Sequence, residues 1–103
     1  MAKTVRVRVI TPHRQVLDEE AVSVQVPAED GLFGVLAGHA PMISTVEAGI
    51  LRIRREDSSQ SEYIVTRGFA EVGRDQLRLA VDSGEPIDSI DLERAERAAE
   101  RAK

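Results

Sequence analysis

Hydrophobic and polar residues alternate along the first two-thirds of the chain. Val5, Val7 and Val9 alternate with Arg6 and Arg8, the period of two that turns one face of a β-strand to a core and the other to water. Similar short runs, bounded by Gly, Pro, Asp or Ser, recur at residues 16–17, 22–26, 42–46, 49–55, 63–65, 69–72 and 77–81. The pattern predicts an all-β fold, an antiparallel β-sandwich or flattened barrel of eight to ten short strands.

The last segment of the chain has a different composition. Residues 91–103 are mostly Ala, Glu and Arg, which are strong helix formers, and Asp88, Ser89 or Asp91 could cap the N-terminus of a helix. We therefore expect one short C-terminal α-helix. The expected organisation is a β-sandwich domain at 1–84, followed by a linker and the start of a C-terminal helical region at 85–103.

Composition narrows the possible functions. The chain has 103 residues, a net charge of −4 and no cysteine, which excludes disulfides, thiol catalysis and zinc–thiolate sites. It lacks the basic stripe that binding to a phosphate backbone requires, so nucleic acid is not an expected partner. No apolar run approaches the roughly 20 residues that span a bilayer. Any association with a membrane is expected to go through a protein partner, without direct insertion.

Residues that could carry out chemistry are few. His13 and His39 are the only histidines, and no set of further ligands clusters near either of them in the sequence. No G-x-S-x-G elbow is present. We therefore predict no catalytic residue and no metal site.

The segment GLFGVLAGHAP at residues 31–41 contains three glycines. The segment lacks the Gly-Lys-Ser/Thr ending of a phosphate-binding Walker loop, and no helix is expected after it. The structural interpretation is that Gly31, Gly34 and Gly38 allow positive φ angles or close backbone approach, and that Pro41 fixes the turn out of the segment.

The same segment also carries a resemblance to a known family. GLFGVLAGHAPMIS, at residues 31–44, resembles the Gly-x-x-Gly-Ile-Leu-x-x-His-Ala-Pro signature of the epsilon subunits of F-type ATP synthases. EAGILRI at 47–53, GFAEV at 68–72 and IDLERA at 90–95 are similar to later motifs of that family, in the same order and at its spacing. The resemblance covers essentially the whole chain.

The resemblance implies a ten-stranded β-sandwich that is not an enzyme. Such a subunit belongs to the rotor: it binds the gamma subunit on one side, rests on the membrane c-ring at a loop edge, and couples proton-driven rotation to ATP synthesis. It is expected at the cytoplasmic face of a bacterial membrane, with the thylakoid stromal face as the alternative. Members usually end in a helical hairpin, and this sequence stops within the first of those helices. We therefore expect a short form without the extended inhibitory conformation.

The resemblance also implies which residues meet the rotor. The ring- or gamma-facing loop corresponds to residues 29–34, and His39 is expected near the same edge. Leu32 stands where the family often has an acidic residue, so we expect a more apolar contact there. The candidates are Glu29, Asp30, Gly31, Leu32, Phe33, Gly34 and His39.

Two alternative functions remain open. In some relatives ATP binds beside the helical region, and Glu85, Asp91 and Arg94 occupy matching positions, so a small ATP-sensing module is one alternative. Asp91 and Arg94 also have a purely structural interpretation, in which Asp91 caps a helix and Arg94 pairs with a neighbouring carboxylate. No other cofactor is expected. The second alternative, a carbohydrate- or peptide-binding sandwich, is weak because only Phe33, Tyr63 and Phe69 could form an aromatic platform.

Overall fold

A computed structural model describes residues 3–87, and this part of the chain is built from ten β-strands. The strands are β1 (Val5–Ile10), β2 (Gln15–Ala21), β3 (Ser23–Ala28), β4 (Gly31–Leu36), β5 (Met42–Val46), β6 (Gly49–Arg54), β7 (Gln60–Val65), β8 (Gly68–Val72), β9 (Gln76–Val81) and β10 (Gly84–Ile87). The predicted all-β fold is thus confirmed. The predicted C-terminal helix lies outside the described residues.

The strands form two five-stranded sheets that pack as a sandwich. Sheet A has the order β2-β1-β9-β8-β5, and sheet B has the order β10-β7-β6-β3-β4. Seven of the eight pairings are antiparallel, and the exception is β1 with β9, which run parallel with Val7 beside Leu77. The expectation of a wholly antiparallel sandwich is therefore wrong at this one pair. Its strands are far apart in the sequence, so no short hairpin dictates their direction.

The core lies between the two sheets and is built from the inward positions of the alternating pattern. Val5, Val7 and Val9 are fully buried while Arg6 and Arg8 between them are exposed. Leucine, isoleucine and valine supply most of the core, and burying each such side chain stabilises the fold by roughly 1.5–3 kcal/mol. The buried apolar residues outside β1 are Leu17, Ala21, Val24, Val26, Val35, Val46, Ile50, Leu51, Ile53, Val65, Ala70, Val72, Leu77, Leu79 and Val81.

Loops gather at two opposite ends of the sandwich. The first, which we call the Asp30 end, holds the β3–β4 turn and the loops at 47–48, 66–67 and 82–83. They are tied together by backbone hydrogen bonds from Glu47 N to Pro27 O and from Thr66 N to Ser83 O. The second, the His39 end, holds residues 37–41 and the β8–β9 turn, joined by a 2.6 Å hydrogen bond from Gly38 N to Arg74 O.

Two ion pairs connect the edge strand β2 to neighbouring parts of the sandwich. Arg6 Nε donates to Asp18 Oδ1 at 2.6 Å across β1 and β2, and this hydrogen bond is the main reason that the pKa of Asp18 lies below its ordinary value. Arg55, which follows β6, lies 2.5 Å from Glu19 of β2 and so links the two sheets. Both pairs are partly exposed, so solvent screening keeps their contribution to stability small.

Candidate protein-docking surfaces

The predicted rotor-facing residues begin at the Asp30 end. Glu29 and Asp30 form the exposed turn between β3 and β4, and Gly31 opens β4. Gly31 has a φ of +111°, a conformation that side chains with a Cβ rarely adopt. The positive φ expected of this glycine is thereby confirmed, and it turns the chain so that two carboxylates project beyond the sheet.

Leu32 and Phe33 point to opposite faces of sheet B. Leu32 is 58% exposed on the outer face, whereas Phe33 is half-buried and packs against the core. Gly34 is exposed, Val35 is buried, and Leu36 is 56% exposed on the same outer face as Leu32. Of these two residues, Leu32 is therefore the one whose side chain is available to a partner, and the predicted contact stays a prediction.

His39 lies at the other end of the sandwich. The six residues of β4 separate it from Asp30, a distance of roughly 20 Å at the rise of an extended strand. The expectation that His39 sits near the same edge as the 29–34 loop is therefore wrong, because those residues form a strand that crosses the whole sheet. His39 Nδ1 lies 2.7 Å from Ala40 O, beside a cavity of about 400 Å³ that Pro41 and Arg74 help to line.

A further apolar surface lies on the outer face of sheet A, and sequence reasoning missed it. Ile43 of β5 is 74% exposed and Phe69 of β8 is 63% exposed. Thr45 lies opposite Phe69 on β5, and Ala80 lies opposite Phe69 on β9. We call this set of four side chains the Ile43–Phe69 patch. The sequence did carry a signal for it, since large apolar residues stand at outward positions that are normally polar in a half-exposed strand.

Shallow cavities lie at both ends of the Ile43–Phe69 patch. Toward the His39 end, a cavity of about 490 Å³ is lined by Pro41, Met42, Ile43, Glu71, Val72, Gly73 and Gln76, and Pro41 also lines the cavity beside His39. Toward the Asp30 end, a cavity of about 310 Å³ lies beside Phe69, Arg67 and Asp82. The patch with its cavities therefore runs the length of β5 and β8, and charged side chains stand at its ends.

The rest of the outer face of sheet A is charged. Glu71 lies opposite Arg78, and Arg78 lies beside Arg8 in the parallel pair. An apolar region bordered by charged groups is the usual anatomy of a protein–protein interface. The arrangement suits protein docking better than the binding of a small molecule.

The predicted nucleotide site is not assembled within the described residues. Glu85 lies on β10 opposite Ile64 and is exposed, while Asp91 and Arg94 lie outside residues 3–87. The nucleotide site stays a prediction. Within residues 3–87, no three His, Asp or Glu side chains gather as metal ligands. The same stretch has no helix of the length and hydropathy that crossing a membrane requires.

Over residues 3–87, the fold and its surfaces define a class: a ten-stranded β-sandwich with exposed apolar patches on the outer faces of both sheets. Comparison with known families narrows this class. Residues 4–87 match the family described as ATP synthase, Delta/Epsilon chain, beta-sandwich domain. The chain belongs to that family.

Individual relatives agree with this family. The ATP synthase epsilon chain of Moorella thermoacetica is 40% identical over 100 residues, which are 97% of this chain and 75% of that one. The epsilon chain of Nostoc sp. is 41% identical over 101 residues, covering 97% of this chain and 74% of the relative. A chain in the cryo-EM structure of Euglena gracilis mitochondrial ATP synthase, OSCP/F1/c-ring, superposes with a TM-score of 0.77 at 25% identity. The match covers 97% of this chain and 65% of the Euglena chain.

Proposed function

We propose that this chain is a non-catalytic central-stalk subunit of an F-type ATP synthase. In this role it couples rotation of the c-ring to the gamma subunit, and the catalytic sites belong to other subunits. The observation that carries the proposal is that the entire sandwich matches the family, with relatives named epsilon chain along 97% of the sequence. The similar Euglena chain comes from an assembly that contains F1 and the c-ring.

The Ile43–Phe69 patch is the proposed docking surface for the gamma subunit. Ile43 and Phe69 are the two most exposed large apolar side chains among the described residues, and burying them in an interface would be favourable by roughly 25 cal/mol per Å² of apolar surface. Arg67, Glu71 and Asp82 stand where a polar rim would form around that contact. The cavity beside His39 extends this surface to the end of the sandwich.

The Asp30 end is the proposed contact with the c-ring. Glu29, Asp30 and Leu32 project there from a turn and from the first residues of β4. With Leu32 exposed and uncharged, this contact would combine apolar burial with the two carboxylates. The two proposed surfaces lie on different sheets, so gamma and the ring could be engaged at the same time.

An aspartate in place of Ile43 is expected to weaken binding to the gamma subunit about thirtyfold or more, which corresponds to a hot-spot loss of about 2 kcal/mol. The physical reason is that a carboxylate in the centre of an apolar contact loses its hydration without gaining a partner. Calorimetric titration of the chain into purified gamma subunit measures the change. Ile43 is 74% exposed, so the substitution should leave the fold intact, and circular dichroism checks this.

Leu36→Asp is the matched control, because it places the same carboxylate on an exposed strand position of the other sheet. We expect Leu36→Asp to bind gamma as the unaltered chain does. Equal losses for the two variants, or no loss for Ile43→Asp, would contradict the assignment of the Ile43–Phe69 patch.

We further propose a division of the chain and a location. The expected boundary after residue 84 falls within β10, whose residues up to Ile87 pair with β7, so the sandwich would extend to residue 87. The family match over residues 4–87 supports that end, and the residues after it would form the linker and the start of a helical region. As part of an ATP synthase, the subunit would be peripheral to a membrane, at the cytoplasmic face in a bacterium or at the stromal face of a thylakoid.

A further inference from the structure

The turn between β3 and β4 contains a dipeptide with a covalent chemistry of its own. Asp30 is followed by Gly31, and both residues are exposed at the Asp30 end of the sandwich. An aspartate carboxyl group can react with the main-chain nitrogen of the next residue, because the two close a five-membered ring. A side chain on that next residue crowds the ring, and glycine has none. Asp-Gly therefore opposes this ring closure less than any other Asp-containing dipeptide of the chain.

The structure leaves this dipeptide room to react. Within residues 3–87, the Asp30 carboxylate makes no hydrogen bond and no ion pair. A Cβ added at Gly31 would meet no atom within 4 Å, so space is open beside its nitrogen. Ala28 with Gly31 is the last pair of the β3–β4 ladder, and the terminal pair of a hairpin opens at little cost. The Gly31 nitrogen can therefore reach the Asp30 carboxyl carbon while the rest of the sandwich stays folded.

We propose that Asp30 is a site of spontaneous isomerisation to isoaspartate. The Gly31 nitrogen attacks Asp30 Cγ and a C–N bond forms. The bond from Cγ to its hydroxyl breaks, and this hydroxyl leaves with the amide proton as water, which gives a succinimide. Water then adds to one of the two imide carbonyls. Addition at Cγ restores aspartate, whereas addition at the main-chain carbonyl carbon breaks the original peptide bond and leaves isoaspartate.

Hydrogen bonds protect two other exposed aspartates from the same reaction. After Asp82, the nitrogen that would attack belongs to Ser83, and it donates to Thr66 Oγ1 at 2.8 Å. Asp57 Oδ1 accepts from Ser59 N at 2.9 Å and from Ser59 Oγ at 2.6 Å. The hydroxyl contact is the main reason that the pKa of Asp57 lies below its ordinary value. The carboxylate form that this favours is the less reactive one, because its oxygen is a poor leaving group.

The two remaining aspartates of the described residues are held by strands. Asp18 lies within β2, accepts a 2.6 Å hydrogen bond from Arg6 Nε and is followed by Glu19. The main-chain carbonyl of Asp75 accepts a 2.8 Å hydrogen bond from Arg6 N, and Gln76 after it begins β9. In both cases a long side chain on the following residue adds to the crowding of the ring. Folding therefore restricts the reaction at these sites and leaves it open at the β3–β4 turn.

Isomerisation would change the shape of the turn. In isoaspartate the main chain runs through Cβ and Cγ, so the turn gains one backbone carbon and Ala28 no longer lies in register with Gly31. Glu29, Asp30 and Leu32 form the proposed c-ring contact, which the longer turn would displace. This consequence rests on the proposed function, whereas the isomerisation itself does not. Because its test uses the chain alone, either proposal can fail without the other.

The test compares the folded chain with the same chain unfolded in guanidinium chloride. Both are kept at neutral pH and physiological temperature for several weeks, then digested. Isoaspartate is measured by methylation with an isoaspartyl methyltransferase and located by peptide mass spectrometry. In the folded chain, residue 30 should yield more isoaspartate than the other four aspartates of residues 3–87 together. Unfolding should accelerate the reaction strongly at Asp57 and Asp82, and only slightly at Asp30.

Asp30→Glu is the matched control, because it keeps the negative charge but would have to close a larger, six-membered ring. Its isomerised product at residue 30 should disappear, and the other sites should react as before. Thr66→Val removes the acceptor of Ser83 N, so isoaspartate should rise at Asp82 and stay unchanged at Asp30. A folded chain without isoaspartate at residue 30 would overturn the proposal. So would a reaction that folding slows at Asp30 as much as at Asp82.

Discussion

Replacing Gly68 by alanine is expected to lower the free energy of unfolding by about 3 kcal/mol, at the upper end of what overpacking costs. A Cβ at this position would lie 1.9 Å from Ala80 O and 2.7 Å from Val81 Cα. Both atoms belong to the backbone of β9, which pairs with β8 in the middle of sheet A, so no flexible side chain can move aside. Urea unfolding followed by circular dichroism measures the loss.

Gly34→Ala is the control for this prediction. Gly34 also lies within a strand, but an added Cβ meets no atom within 4 Å and its φ is not positive. We expect its unfolding free energy to stay within about 0.5 kcal/mol of the unaltered value, as for most surface substitutions. A Gly68→Ala chain as stable as Gly34→Ala would show that β8 and β9 do not approach as closely as the structure has them.

Leu51→Ala is expected to cause the second large decrease in the free energy of unfolding. Leu51 is fully buried in β6 at the centre of sheet B and belongs to the core between the sheets. Removing its side-chain atoms leaves a cavity that the surrounding β-branched residues cannot fill, at a cost of roughly 2–5 kcal/mol. Thermal and urea unfolding should both show the decrease, without loss of the folded spectrum at low temperature.

Leu36→Ala removes the same atoms from a side chain that is 56% exposed. Its cost should be less than about 1 kcal/mol, because little of the leucine leaves water on folding. If the two alanine variants unfold at the same denaturant concentration, Leu51 does not lie in the core and the assignment of inward and outward positions in β6 is wrong.

The sequence predicted the layered architecture well, because alternation reports burial directly. Val5, Val7 and Val9 are buried as the pattern indicated, and so are Leu77, Leu79 and Val81. Pairing between strands distant in the sequence could not be predicted this way. The parallel pair of β1 and β9 depends on how the whole chain folds back, and no local turn encodes it.

The glycine segment was predicted in part. Gly31 and Gly38 do adopt positive φ angles, as glycines at turns often do, while Gly34 lies in an ordinary strand. The segment contains a whole strand, and treating it as one loop placed His39 beside Asp30. Periodicity was the missed signal, since Leu32, Gly34 and Leu36 alternate with the inward Phe33 and Val35.

The Ile43–Phe69 patch could not be predicted from the sequence of each strand taken separately. Ile43 and Phe69 are exposed because each stands out of phase with the buried positions of its own strand. That they lie close together follows only from the pairing of β5 with β8, in which Thr45 faces Phe69 and Ile43 faces Glu71. Because β5 pairs with β8, two exposed apolar residues that are distant in the sequence belong to one apolar surface.

ATP-driven proton pumping tests the central claim most directly. Membrane vesicles that carry the rest of the same ATP synthase, stripped of this subunit, are supplied with ATP, and acidification is followed with a pH-sensitive dye. Adding the purified chain should restore pumping, and the Ile43→Asp chain should restore little at the same concentration. Vesicles that pump equally well with and without the chain would contradict its assignment as the coupling subunit of the central stalk.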